Sequence, residues 1–178
     1  MKQGLSAADI VKVQVAPEAM LRLLFFTALA PGEIGGLGTV RWQQDSVLVA
    51  EIMLFPQWVS SLSTELDPRA VGEFFSDMLL RGADAAEVAL WWHSHGREPV
   101  FWSDEDVHTI EQIAIQPWVS LVINRSGEML VRLDSLEQNL HRERLHLQVT
   151  ADGPTLSPVD VFKRCTDEYH ACVRRKEG

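Results

Sequence analysis

The stretch "EVALWWHSHGREPVFWSDED", Glu87 to Asp106, joins an apolar run to two histidines, a serine and an aspartate. Its first part, Glu87 to Trp92, is apolar on both faces after the opening glutamate. That is the pattern of a central strand covered on both sides, not of a half-solvated one. His93 and His95 follow at the end of the run; in an extended strand residues i and i+2 project to the same side, so two imidazoles can address one point. Ser103 begins a helix extending to about Gln116, and Asp106, three residues later, has the spacing of a capping box. Asp106 also shares a helical stripe with Ile110 and Ile113, the face expected to pack on a sheet. A carboxylate placed there must find a partner or become neutral, and two histidines holding a divalent cation would supply the partner. His108, two helical steps further on, is rotated about 200° to the other face and reads as a surface residue.

Around this stretch the sequence predicts a strand near Ile10 to Val15 and a helix opened by Pro17-Glu18 and running to about Ala30. Leu21, Leu24, Phe25 and Ala28 lie on one of its faces. A hairpin follows, Leu37 to Gln43 and Val47 to Phe55, turning at Gln44-Asp45-Ser46. Asp67-Pro68 open a second helix to about Arg81, closed by Gly82. After the Ser103 helix come a hairpin, Trp118 to Asn124 and Glu128 to Leu133, a strand at Arg144 to Thr150, and a helix from Ser157 to about Arg174. The expected architecture is α/β: a mixed, mostly antiparallel sheet with helices packed on both faces. One domain over residues 1–178 is expected, with 1–9 and 176–178 as flexible ends.

At 178 residues the chain can bury roughly 70% of its unfolded surface without staples. Cys165 and Cys172 stand seven apart in a helical segment, about 10 Å along the axis and beyond disulfide reach, which points to a reducing, cytoplasmic setting. "MLRLLFFTALA", Met20 to Ala30, resembles a signal-peptidase site but carries Arg22, follows Glu18 and is too short to span a bilayer. A net charge of −9 argues against a nucleic-acid surface, and the one basic cluster, Arg174-Arg175-Lys176, reads as a solvated tail. Cys165, His170 and Cys172 cannot converge from one helix; Cys165, Tyr169, Cys172 and Val173 read instead as its apolar stripe. Glu51 stands alone among apolar neighbours in "VLVAEIMLF", Val47 to Phe55, paired with an unidentified group or facing the cleft.

Two histidines and one carboxylate make a three-ligand set, which on zinc leaves a fourth position for water, the catalytic arrangement. His93-x-His95, seven residues, Ser103, two residues and Asp106 resemble the signature of the JAMM (MPN+) metalloprotease family. Given the histidine pair, both further offsets arise by chance on the order of once in a few hundred. The family also places a glutamate upstream in a Glu-x-x-Gly-Leu context, where this chain has Glu33-Ile34-Gly35-Gly36-Leu37. The resemblance spans about Ile10 to Asp134, and is weak beyond.

The resemblance implies a three-layer, cytidine-deaminase-like sandwich, with one Zn²⁺ held by His93, His95 and Asp106. It also implies Glu33 as general base and the Ser103 hydroxyl at the oxyanion. The implied substrate is an isopeptide or peptide bond at the C-terminus of a ubiquitin-like protein, in a setting such as bacterial ubiquitin-like conjugation. Gly96 departs from the pattern, standing where the family has proline, and leaves the loop to Trp102 less rigid. The segments Pro56 to Leu66 and Asp134 to Pro158 lie where family members carry substrate-contacting insertions. Three other readings stay open: a non-catalytic scaffold of the same fold, a RadC-like DNA-repair relative, and a hydrolase acting on a sulfur-carrier conjugate.

Overall fold

A computed structural model describes residues 7–60, 63–151 and 157–175. The strands are β1 (Lys12–Val15), β2 (Gly35–Trp42), β3 (Ser46–Leu54), β4 (Gln57–Val59), β5 (Thr64–Leu66), β6 (Val88–Ser94), β7 (Trp118–Ile123), β8 (Met129–Ser135), β9 (Leu140–Glu143), β10 (His146–Val149) and β11 (Val173–Arg175). The helices are α1 (Pro17–Leu29), α2 (Pro68–Leu80), α3 (Asp104–Ile113) and α4 (Pro158–Cys172). Eight strands form one mixed sheet in the order β10-β1-β3-β2-β6-β7-β8-β9, and a second sheet runs β11-β4-β5. In the large sheet β10–β1, β1–β3 and β6–β7 pair in parallel and the other neighbours antiparallel.

The apolar run does become a central strand, β6, between β2 and β7. Its pleat sorts side chains to two layers. Leu90 and Trp92 join the main core with Leu23 and Phe26 of α1 and Val161 and Cys165 of α4; the Phe26 and Trp92 rings stack 6.0 Å apart. Trp91 points the other way, into a smaller cluster with Val71, Phe74 and Phe75 of α2. Helices therefore cover both faces, and the molecule is an α/β sandwich. Gly36 permits the tight packing of β2 between its neighbours, since a Cβ there would sit 2.1 Å from the Met53 carbonyl oxygen.

Several expectations need correction. The buried residues of α1 are Ala19, Leu23, Phe26 and Thr27, not Leu21, Leu24, Phe25 and Ala28. The helix is apolar nearly all round and packs on two neighbours, the sheet and α4, where Phe25 meets Phe162 edge to face, so its sequence marks no single stripe. Ala7, inside the expected flexible end, is buried and donates its N–H to Gln138 Oε1; residues 1–6 and 176–178 lie outside the described residues. Arg174 and Arg175 are exposed, as a solvated segment requires, but they belong to β11, paired in parallel with β4. Pro56 to Leu66 contains β4 and β5, and Asp134 to Pro158 contains β9 and β10; 61–62 and 152–156 fall outside the described residues. Cys165 and Cys172 are free thiols. Among the described residues no helix is long and apolar enough to cross a membrane.

Candidate metal centre

Three elements converge at one end of β6. His93 lies in β6 opposite Gly35 of β2 on one side and Val122 of β7 on the other. His95 follows just past the strand and is held by its N–H to the Ile123 carbonyl, 2.9 Å. Gly96 then takes φ +55°, a left-handed value closed to proline. The loop turns so that the Pro99 carbonyl comes back to His95 Nδ1 at 3.0 Å.

Ser103 caps α3, accepting from Asp106 N–H at 3.1 Å, while Asp106 Oδ2 accepts from Ser103 N–H at 2.8 Å. The capping box and the inward carboxylate are both real. Oδ2 serves the cap, and Oδ1 lies 3.2 Å from His93 Nε2. His95 Nε2 is 3.1 Å from His93 Nε2 and 3.7 Å from Asp106 Oδ2. One ligand atom from each of the three residues falls within 4.8 Å of the others, and all three residues are buried.

The tautomer of His95 follows from its neighbours. A carbonyl only accepts, so Nδ1 carries the hydrogen and the neutral ring turns the bare lone pair of Nε2 inward. That is the outer-shell arrangement of a ligating histidine. Two imidazole nitrogens and a carboxylate oxygen then face one point, where either a hydrogen on His93 Nε2 or a metal ion can sit between them. Burial holds His93 below the ordinary imidazole range, against the pull of Asp106. The hydrogen bond to Asp106 raises His95, against burial. Burial pushes the Asp106 carboxyl up, but hydrogen bonds from His93, His95 and Ser103 outweigh it and hold the group well below the carboxylate range. The donor set and the fixed tautomer therefore fit a divalent cation.

Glu33, His93, His95, Ser103 and Asp106 all line one cleft of about 460 Å³, with Trp91, Glu98, Phe101, Asp104 and Glu105 among its other walls. Burial raises the Glu33 carboxyl, His95 opposes this, and Asp106 and Glu105 add to it. Glu51 lies elsewhere, exposed beside Glu18 and Arg22 on a separate recess, and not in this cleft. His108 is exposed and bonded to Gln112, as its helical position required.

Residues the sequence did not single out hold Glu33 in place. Ser94 N–H donates to the Ile34 carbonyl and Ser94 Oγ accepts from Ile34 N–H, tying the Glu33 segment to the histidine strand. Buried Gln57 accepts from Gly35 N–H, donates to the Gly35 and Phe55 carbonyls, and receives the Thr64 hydroxyl. Glu33 N–H donates to Ser60 O. A three-residue strand after Pro56 is too short for a periodic signal that could have marked Gln57.

No family model matches the chain, and no curated protein matches it. Among solved structures it is similar to the solution structure of protein DSY2949 from Desulfitobacterium hafniense. The TM-score is 0.56 at 19% identity, covering 79% of this chain and 94% of that one. That likeness places the fold, a mixed α/β sandwich, and the group His93, His95 and Asp106 adds that this fold carries a site able to hold a metal ion.

Proposed function

We propose that this chain is a cytoplasmic, JAMM-type zinc hydrolase that cleaves an isopeptide or peptide bond at the C-terminus of a ubiquitin-like protein. The observation that carries the reading is the convergence of His93 Nε2, His95 Nε2 and Asp106 in a cleft that also holds Glu33 and Ser103. His93, His95 and Asp106 would hold the ion. Zn²⁺ bound there supplies Lewis acidity and a water acidic enough to ionise near pH 7. Glu33, raised by burial toward the working pH, takes the proton of the attacking water and returns it to the leaving amine. Ser103 uses its lone pair for the helix cap, which leaves its hydroxyl hydrogen free to donate to the oxyanion at the cleft. The unpaired thiols Cys165 and Cys172 support a reducing compartment.

The test incubates purified protein, with zinc and with a chelator, with ubiquitin-like proteins carrying C-terminal extensions, alongside metal analysis. Wild type is expected to hold one zinc per chain and cleave. Glu33→Gln is expected to keep the zinc and lose hydrolysis, by at least about 100-fold. Metal-free wild type in zinc-containing buffer overturns the proposal; loss of zinc from Glu33→Gln overturns the assignment of Glu33 as base.

A further inference from the structure

Behind the candidate centre lies a second buried charged group. Arg132 of β8 is 4% exposed and makes a bidentate pair with Asp134, Nε to Oδ2 and Nη2 to Oδ1, both 2.7 Å. Both residues point to the α3 side of the sheet, where the neighbouring positions are Ser120 and Trp118. His141 Nδ1 also meets Asp134 Oδ1 at 2.7 Å, and His141 Nε2 meets Glu143 at 3.2 Å. A buried ion pair on a sheet face is a costly way to fill space, and apolar residues of similar volume commonly serve the fold as well.

The pair touches the candidate centre through one side chain. The Arg132 guanidinium stands over the Trp102 ring, 5.5 Å from its centroid. Trp102 belongs to the irregular loop before α3, and its ring lies 6.0 Å from that of His93. His93 is thereby flanked, with Trp91 stacked at 4.6 Å on one side and Trp102 tilted against it on another. The indole Nε1 of Trp102 is buried and makes no hydrogen bond among the described residues. Direction for this ring therefore comes from packing and from the cation on its face, not from a donor–acceptor pair. A bidentate carboxylate fixes that cation in plane, as a lone, rotatable charge would not be fixed.

We infer that Arg132 and Asp134 are a positioning pair for the metal ligand His93, acting through Trp102. The pair sets the guanidinium, the guanidinium sets the indole, and the indole limits rotation of the imidazole whose Nε2 faces Asp106. The inference rests on His93 being a metal ligand, as in the proposed function.

Arg132→Met combined with Asp134→Leu replaces both partners by apolar groups and leaves no unpaired buried charge. Trp102→Leu leaves the ion pair and removes the ring. Metal affinity is measured by competition of Zn²⁺ with a chromophoric chelator, and site geometry by the visible spectrum of the Co²⁺-loaded protein. Each variant is expected to bind zinc roughly 10–100-fold more weakly than wild type, with an altered Co²⁺ spectrum. The triple variant is expected to be no weaker than Trp102→Leu alone, because the pair acts through the ring. Should the paired replacement fail to fold, Asp134→Asn, which keeps the shape and removes the charge, takes its place with the same expectations. A folded variant with wild-type zinc affinity and Co²⁺ spectrum, or strictly additive losses in the triple variant, overturns the inference. Wild type that binds no metal overturns the proposed function instead, and this inference with it.

Discussion

Two buried carboxylates, Asp134 and Asp106, pair with the two groups that pack on Trp102, Arg132 and His93, and those partners differ. Asp134 faces a guanidinium that is charged at every accessible pH, so its compensation is built into the chain. Asp106 faces two imidazoles, neither a permanent charge, in a group that could hold a metal ion. The fold gives the first cluster a permanent counter-charge and leaves the second able to take a cation. Ionic need, more than the identity of the residues, separates a structural cluster from a binding one.

The largest expected effect sets these carboxylates against each other. Asp134→Ala removes the bidentate partner of buried Arg132, leaving it Glu143 at 3.8 Å as counter-charge, and is expected to cost about 3 kcal/mol in urea unfolding, with or without chelator. Asp106→Ala in chelator is expected to cost less, about 1–3 kcal/mol, for the reciprocal bond to Ser103 N–H and the buried bonds to His93 and His95 that it removes. With zinc at 100 times the wild-type dissociation constant, wild type gains about 2.7 kcal/mol and Asp106→Ala gains nothing. An Asp106→Ala protein still stabilised by zinc would break the comparison, because it would place the cation elsewhere.

A smaller effect concerns the wall that carries Glu33. Gln57→Leu removes the amide that bonds both the N–H and the carbonyl of Gly35, two residues after Glu33. Leaving those buried groups unpaired is expected to cost about 1–3 kcal/mol. Zinc content is expected to stay at one per chain while kcat falls, since His93, His95 and Asp106 sit on other elements. Loss of zinc in a folded Gln57→Leu protein would show the two walls of the cleft to be one unit.

The three candidate ligands were legible because they are local: β6 reads from an apolar run, α3 from Ser103, and the ligand offsets from strand and helix periods, whereas distant Glu33 was named only through the resemblance. Asp106 was the informative position, being a charge on an apolar stripe. The complementary cluster was not legible. Arg132 and Asp134 alternate with Val131 and Leu133, the pattern of a strand with one wet face, and nothing local says that α3 and Trp102 cover that face. Strands β4, β5, β9 and β11 are three or four residues long and paired through tertiary contacts, too short for a period to show. At β11 the helical pattern of α4 ran on to Arg174, while pairing with β4 won the last three described residues. Gly96 was readable as a departure, but its left-handed φ, and the histidine bond made to Pro99 beyond it, required the fold.

The smallest expected effect is a pH dependence that belongs to the uncompensated side alone. Burial raises Glu33 above 4.5 in the folded chain, and Asp106 and Glu105 push the same way. A carboxyl raised on folding contributes its full share of stability below the unfolded value, about pH 4.3, and that share is lost as pH rises through the folded value. Glu33→Gln cannot ionise and escapes the loss. In metal-free protein the urea stabilities of wild type and Glu33→Gln are therefore expected to run parallel below about pH 4 and to diverge above it, with the glutamine variant gaining relative to wild type until pH passes the folded value of Glu33 and holding level beyond. Zinc should narrow that gap, because a cation in the cleft offsets the cost of the ionised glutamate. A gap that is flat with pH, or that zinc widens, would mean that Glu33 does not share the electrostatic environment of His95 and Asp106.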